Sequence, residues 1–450
     1  MNDYDVIVIG AGPAGEHCAA ALAKGGLKVA IAERELVGGE CDYWACIPSK
    51  TLLRPGEALH AALEAPGAAE AVTGDLDPAA ALGWRDFMVS NYDDTAKAAW
   101  LESQDIDLLR GTSRITGPGT VGVGGNEHTT EHIVIATGSD PVIPPIPGLR
   151  ETEGVWTNRE VTGLKEVPRS LVVLGAGPVG VEMAQVLARM GTAVALVEGM
   201  EHPLPREPRR LGEALAEALA GDGIDLRFGQ HATGVRDEGG EFVVAFPDDT
   251  ELRGEKLLVA TGRRPRSSGL GLEAIGVEVS ERGDVVVDDR MSAGENVWAI
   301  GDVSGIWPLT YVGKYQARVA ASNILGTPRK ANFEAVPRVV FTDPQAASVG
   351  EAEGALEVTV ALKDVPRTST YTRAYEHKPG FLTLVSDGER ITGAYALGPE
   401  AGEWLQQATL AIRARVPLEV MNDTIQPFPT FSEVFLHALT ELGVKVPAPA

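Results

Sequence analysis

DVIVIGAGPAGEHCAAALAKGGLKVAIAERE, residues 5–35, runs from a β-branched strand through a glycine turn into a helix and on to a second strand that closes with an acid, Glu33. That succession is the context a dinucleotide-binding fingerprint requires, a βαβ unit with G-x-G-x-x-G at its first turn. Gly10 permits the tight turn, Gly12 lets the backbone approach a pyrophosphate, and Gly15 allows the helix to pack closely. The helix N-terminus adds partial positive charge, and Glu33 is placed to accept hydrogen bonds from a ribose diol.

A lone fingerprint is weak evidence, but SLVVLGAGPVGVEMAQVLARMGTAVALVEGM, residues 170–200, repeats the whole unit, with Gly175, Gly177, Gly180 and Glu198 in corresponding places. A second duplication supports it. HIVIATGSDP, with Thr137 and Gly138, and LLVATGRRP, with Gly262, each end a strand in Thr-Gly. Two such units imply two bound dinucleotides, and electron transfer is the chemistry that calls for both. One is expected to be FAD and the other NADH or NADPH. Glu198 favours NADH, because an acid there suits a free 2′-hydroxyl and repels the extra phosphate of NADPH, although Arg206, Arg209 and Arg210 lie downstream. ENVWAIGDVS places Asp302 at the end of an apolar strand, where a carboxylate can bind flavin ribityl hydroxyls. LTYV, containing Thr310, precedes the helix-forming GKYQARVAASNILG and presents a helix start to the flavin pyrimidine.

The rest of the chain bounds these readings. A length of 450 residues exceeds one hydrophobic core, so several domains are expected. The net charge of −24 argues against nucleic acid and anionic membranes as partners. No apolar run reaches the length of a membrane span, and MNDYDVIVIG carries no leader pattern, so the expected compartment is the cytoplasm. From about residue 336 the pattern turns to VPRVVFTDPQAASVG, FLTLVSDGERITGAYALG and the helical EWLQQATLAIRARV, an α+β domain with no fingerprint of its own.

Of the three cysteines, Cys18 sits in the helix-like EHCAAALAK and reads as core. Cys41 and Cys46 lie five positions apart in GGECDYWACIPSK, after a glycine pair and before Pro48, a residue that suits a first helical turn. Three cysteines are too few for a secreted disulfide scaffold, and a close pair in a cytosolic chain is more often catalytic or metal-binding than structural. A structural disulfide or two buried thiols is the competing reading. A zinc site is disfavoured because there is no second pair, and no metal site is expected.

Taken together, the paired fingerprints, CDYWACIPSK, the two ATG segments, AIGDV and VVFTDPQAASVG stand in the order found in the class I pyridine nucleotide-disulfide oxidoreductases, which the chain resembles over nearly its whole length. The resemblance implies an α/β fold: two Rossmann-like dinucleotide-binding domains plus a C-terminal α+β interface domain. The FAD domain is expected at 1–150 and 266–335, the NAD(P) domain at 151–265 and the interface domain of a homodimer at 336–450. It implies further that Cys46 is the thiolate against the flavin, that Cys41 attacks the acceptor, and that Lys50 pairs with Glu182. A cationic lysine and a helix start would favour a thiolate.

One stretch departs from the family. The family carries a histidine before Pro-Thr and a glutamate four positions after that proline; here IQPFPTFSE puts Phe428 at the histidine's place and Gln426 at that of an earlier histidine, while Glu433 is retained. Reducing a disulfide releases a thiolate that must be protonated, and positioned acid–base catalysis contributes about 10²- to 10⁴-fold. None of the eight histidines fits the vacant place, although His437 lies one turn past Glu433 and His377 lies near Tyr371 and Tyr375. Between the cysteines, Asp42, Tyr43 and Trp44 replace the family's small or aliphatic residues, either to stack on a flat acceptor or to pack. The acceptor is therefore expected to be a small or protein disulfide, or else a quinone or metal ion reduced in diaphorase fashion. A regulatory flavoprotein sensed by a partner is the third reading.

Overall fold

In the computed structural model, which describes residues 2–371 and 378–445, the run VIVI becomes a strand with Val6, Ile7, Val8 and Ile9 all buried. A parallel strand covered on both faces has no solvent side, so it reads as an unbroken apolar run. Five helices position the chemistry: α1 (Pro13–Lys24), α2 (Gly39–Tyr43), α3 (Cys46–Glu64), α4 (Pro178–Arg189) and α5 (Thr310–Ile324). Both α1 and α4 open on proline directly after the second fingerprint glycine, where the missing N–H costs nothing.

The chain forms two units. The first runs through Pro48 and adds Gly83–Val142 and Gly262–Asn332. Its parallel strands β1 (Tyr4–Ile9), β2 (Val29–Glu33), β3 (Ile106–Arg110) and β4 (Asn126–Ile135) lie in the order β4-β1-β2-β3. Val6 pairs with Val29 on one side and His132 on the other, and Val297–Ala299 extends the sheet beyond β4. Ile7, Ile9, Ala30, Ile133, Ile135 and Val303 belong to the core on this sheet. Strand order reverses beside β1, so the carboxyl end of β1, where Gly10 stands, is the crevice in which open α/β sheets bind ligands.

The second unit holds Ser49–Leu82, Ile143–Thr261 and the chain from Phe333. Here β5 (Ser170–Leu174), β6 (Ala193–Glu198), β7 (Asp225–Phe228) and β8 (Lys256–Val259) are all parallel in the order β7-β6-β5-β8, which repeats the arrangement of the first unit. The C-terminal part is a five-stranded antiparallel sheet, from Arg338–Val340 to Ile391–Gly398. Helices pack on it, burying Leu382, Leu384, Ala396, Phe435 and Leu442. The architecture is mixed α/β with two parallel nucleotide-type sheets and a C-terminal antiparallel domain. Among the described residues no helix is long and apolar enough to cross a membrane.

Candidate active site

The two glycine turns are built alike. Gly10 has φ +106°, and a Cβ there would stand 2.4 Å from the Ala136 carbonyl oxygen; one on Gly15 would stand 1.9 Å from the Gly10 oxygen. A Cβ on Gly12 would meet no atom within 4 Å, so this position borders open space at the start of α1. In the second turn Gly175 has φ +101°, and a Cβ on Gly180 would again stand 1.9 Å from the Gly175 oxygen. A Cβ on Gly177 would come no nearer than 4.0 Å to its neighbour, Ala260 O. The acids are held alike too. Glu33 accepts from the Ala11 and Glu35 amides, both at 2.8 Å, and Glu198 from Ala176 at 2.8 Å and Met200 at 3.0 Å. Each turn therefore presents a clear cradle at a helix start with an oriented carboxylate beside it, a donor set that fits a dinucleotide.

Within the first unit, the two Thr-Gly segments meet: Ser139–Pro141 and Arg263–Pro265 pair as antiparallel strands. Gly262, expected to close the second nucleotide unit, has φ +133° and opens this return segment. Thr137 donates its hydroxyl to the Arg266 carbonyl at 2.7 Å, and Gly138 follows with φ +75°. Asp302 accepts the Ser139 hydroxyl at 2.6 Å, and Arg263 donates to that same hydroxyl at 2.8 Å. Arg266 reaches Glu40 at 3.1 Å, next to Cys41. Nothing in the sequence announces these arginines, whose partners lie more than a hundred positions away.

The glycine pair ahead of the cysteines has a definite use. Gly38, at φ +114°, donates its amide to the Ala11 carbonyl at 2.7 Å. A Cβ on Gly39 would lie 2.9 Å from Gly12 Cα, so only glycine lets the loop carrying Cys41 pass against the fingerprint turn. Cys41 lies in α2 and Cys46 is the first residue of α3. Both sulfurs meet Thr310, the first residue of α5: its Oγ1 lies 3.2 Å from Cys46 Sγ and donates to Cys41 Sγ at 3.3 Å. The helix start that LTYV was expected to offer thus presents its hydroxyl to both sulfurs. All three cysteines are free thiols. The hydrogen bond to Cys46, and then burial, push the Cys41 thiol well above its ordinary range, against a smaller lowering by Thr310. The pair titrates as a unit. Cys18 is fully buried, which pushes its thiol up to about 12 and leaves it inert core.

In the second unit, Lys50 donates to both Glu182 oxygens, at 3.0 and 2.8 Å. Glu182, only 4% exposed, also accepts the Phe341 amide at 3.0 Å and the Ser49 hydroxyl at 3.3 Å. Its charge is paired and its lone pairs are satisfied, the condition under which a buried carboxylate is tolerated. The Lys50 ammonium lies 4.7 Å from the Phe341 ring centroid. Phe341 lies within VVFTDPQAASVG, but nothing in that motif shows that its backbone amide serves Glu182.

The departure at the C-terminus has a structural counterpart. Phe428 is 70% exposed, and Gln426 donates to Gln407 at 3.1 Å. Glu433 Oε2 is buried without a hydrogen-bond partner among the described residues, so His437 does not serve it. His377 and Tyr375 lie outside the described residues, and Tyr371 packs edge-on against Phe431, ring centroids 5.5 Å apart. Between the cysteines Tyr43 is buried and Trp44 stacks on Tyr92, so this aromatic pair packs.

The chain is similar to known proteins in sequence and fold. Residues 4–321 match the model of the pyridine nucleotide-disulphide oxidoreductases, and residues 336–439 match that family's dimerisation domain. Dihydrolipoyl dehydrogenase of Thermus scotoductus is 35% identical over 455 residues, spanning 98% of each chain. Mercuric reductase of Bacillus cereus is 33% identical over 447 residues, 96% of this chain and 70% of its own. Among solved structures, the Cu(II) complex of the HOCl-induced flavoprotein disulfide reductase RclA from Escherichia coli matches with a TM-score of 0.86 at 29% identity, over 97% of this chain and 99% of its own.

Proposed function

Because the chain belongs to the pyridine nucleotide-disulphide oxidoreductase family, we propose that Cys41 and Cys46 cycle between disulfide and dithiol at the expense of NADH and reduce a small or protein disulfide. The observation that carries this reading is the placement of both sulfurs on one hydroxyl at the start of α5. The FAD part is read as 1–150 with 266–335 and the NAD(P) part as 151–265. Gly10, Gly12, Gly15, Glu33, Thr137, Gly138 and Asp302 would hold FAD, which when bound supplies two-electron exchange between nicotinamide and sulfur. Gly175, Gly177, Gly180, Glu198 and Gly262 would serve the nicotinamide dinucleotide. NADH is favoured because Glu198 repels a 2′-phosphate and Arg209 is already paired with Glu201 and Glu213. Residues 336–450 would join two copies, with the acceptor site completed by the partner.

The sulfur chemistry balances on this chain's own residues. Cys41 gives up its proton as its sulfur attacks one acceptor sulfur, forming a mixed disulfide and releasing the other as a thiolate that takes up a proton in its place. The Cys46 sulfur then attacks Cys41, frees the second thiol and closes the internal disulfide. Anaerobic titration with NADH tests this: four electrons per chain are expected, with two newly reactive thiols and a long-wavelength band after the first two. Uptake of two electrons with immediate flavin bleaching and no new thiols would overturn the relay.

Phe428 favours a second reading, a metal ion or quinone as acceptor, since Phe428 has no proton to give to a leaving thiolate and Glu433 Oε2 has no hydrogen-bond partner among the described residues. Mercuric reductase and the Cu(II) complex of RclA are relatives in keeping with it. Phe428→His should raise disulfide reduction by about tenfold or more and leave metal-ion and quinone rates unchanged. Equal rates with the disulfide before and after substitution would favour the second reading.

A further inference from the structure

Asp42, Tyr43, Trp44 and Ala45 form the loop between the two sulfurs, and one short segment of the first unit grips it from outside. Ser90, Asn91 and Tyr92 have φ of 51°, 50° and 60°, three successive non-glycine residues in the left-handed region, which L-residues visit singly. The Ser90 and Asn91 side chains are exposed, so their own packing does not explain the strain. What the turn delivers is Tyr92, whose ring stacks on Trp44 with centroids 6.3 Å apart and planes 29° from parallel, and lies 6.3 Å from Tyr43. A few residues on, Lys97 donates to Asp42 at 2.6 Å and to the buried Glu16 at 3.2 Å. Asp42 adjoins Cys41, and Trp44 stands two positions before Cys46. The loop is thereby pinned at both of its ends.

Backbone strain persists where the surroundings over-determine it, and it collects at sites where it has a use. We propose that Ser90–Lys97 is a clamp whose left-handed turn sets the dithiol–disulfide equilibrium of Cys41 and Cys46, an inference that rests on the pair being a redox couple. A disulfide needs its sulfurs at about 2.05 Å, whereas here the two are free thiols that share the Thr310 hydroxyl and a hydrogen bond between them. A loop pinned at Asp42 and Trp44 resists the closing movement and so favours the dithiol. Tyr92 and Lys97 are positioning residues, acting through the loop.

Equilibration of the full-length flavoprotein with mixtures of reduced and oxidised dithiothreitol, followed by maleimide trapping and mass analysis, tests the clamp. In that exchange the Cys41–Cys46 bond breaks, dithiothreitol closes its own ring disulfide, and two electrons and two protons pass to the protein sulfurs. Asn91→Val, which opposes the left-handed turn, Tyr92→Leu and Lys97→Met should each need about five- to tenfold more reduced over oxidised dithiothreitol for half-reduction. Asn91→Gly, Tyr92→Phe and Lys97→Arg should stay within about twofold of wild type. Unchanged midpoints in the first three variants, with normal thermal unfolding, would overturn the clamp, as would an equal shift in valine and glycine variants. A wild type that never forms the Cys41–Cys46 disulfide in any mixture would overturn the redox reading itself, and the clamp with it.

Discussion

Cys41→Ser is expected to lower NADH-driven reduction of a disulfide acceptor by about a thousandfold or more, because loss of a nucleophile leaves only the catalysis that binding supplies. The hydroxyl of serine fills the space and can keep a hydrogen bond with Thr310, which meets the Cys41 sulfur at 3.3 Å, so the fold and the flavin content should be unchanged. What disappears is the sulfur that forms the mixed disulfide. Steady-state rates with a disulfide and with a quinone, on the same preparation, separate the two acceptor readings. Loss with the disulfide and retention with the quinone assigns the thiol relay to disulfides alone. A Cys41→Ser enzyme that still reduced disulfides at near wild-type rates would remove Cys41 from the reaction.

Gly15→Ala is expected to yield a chain with little bound FAD and a stability loss of about 3 kcal/mol, the upper part of the range for overpacking. The added Cβ would stand 1.9 Å from the Gly10 carbonyl oxygen, with Gly10 C at 3.1 Å and Ala136 Cβ at 3.4 Å. The nearest obstacle is backbone at the turn itself, so α1 must move away from β1 and take the cradle with it. Gly12→Ala is the control, because its Cβ would meet no protein atom within 4 Å. It should leave the stability of the cofactor-free chain unchanged while weakening FAD binding, since the methyl enters the space that the cofactor needs. Flavin absorbance per chain, together with thermal unfolding of both variants, checks the pair. Stoichiometric FAD with unaltered unfolding in Gly15→Ala would show that the turn has slack the structure does not suggest.

The two nucleotide sheets were legible because their instructions are local. Within about thirty residues a β-branched run, three spaced glycines, a proline at the helix start and a terminal acid each specify one piece of a βαβ unit, and the second copy repeats them. The loss of the histidine at Phe428 was legible in the same way, as a residue out of place in a short pattern. The partner of Asp42, the stack of Trp44 on Tyr92 and the left-handed turn at Ser90–Tyr92 had no such signature. Asn tolerates positive φ, but Ser and Tyr give no hint of it.

What the linear order of residues established is thus the kind of fold, the two turns that would take dinucleotides and the identity of the two sulfurs. Where those sulfurs rest was decided only by folding. Thr310 is 264 positions from Cys46 and 269 from Cys41, Glu182 is 132 from Lys50, and Phe341 is 159 from Glu182. Helix and strand periods relate residues a few positions apart, so no period carries information across such separations. Those contacts come from the packing of whole elements, which places the start of α5 at the sulfurs and the Phe341 amide at a buried carboxylate. Glu433 shows the same limit: its retention could be read from the chain, but the buried Oε2, with no partner among the described residues, became visible only in three dimensions.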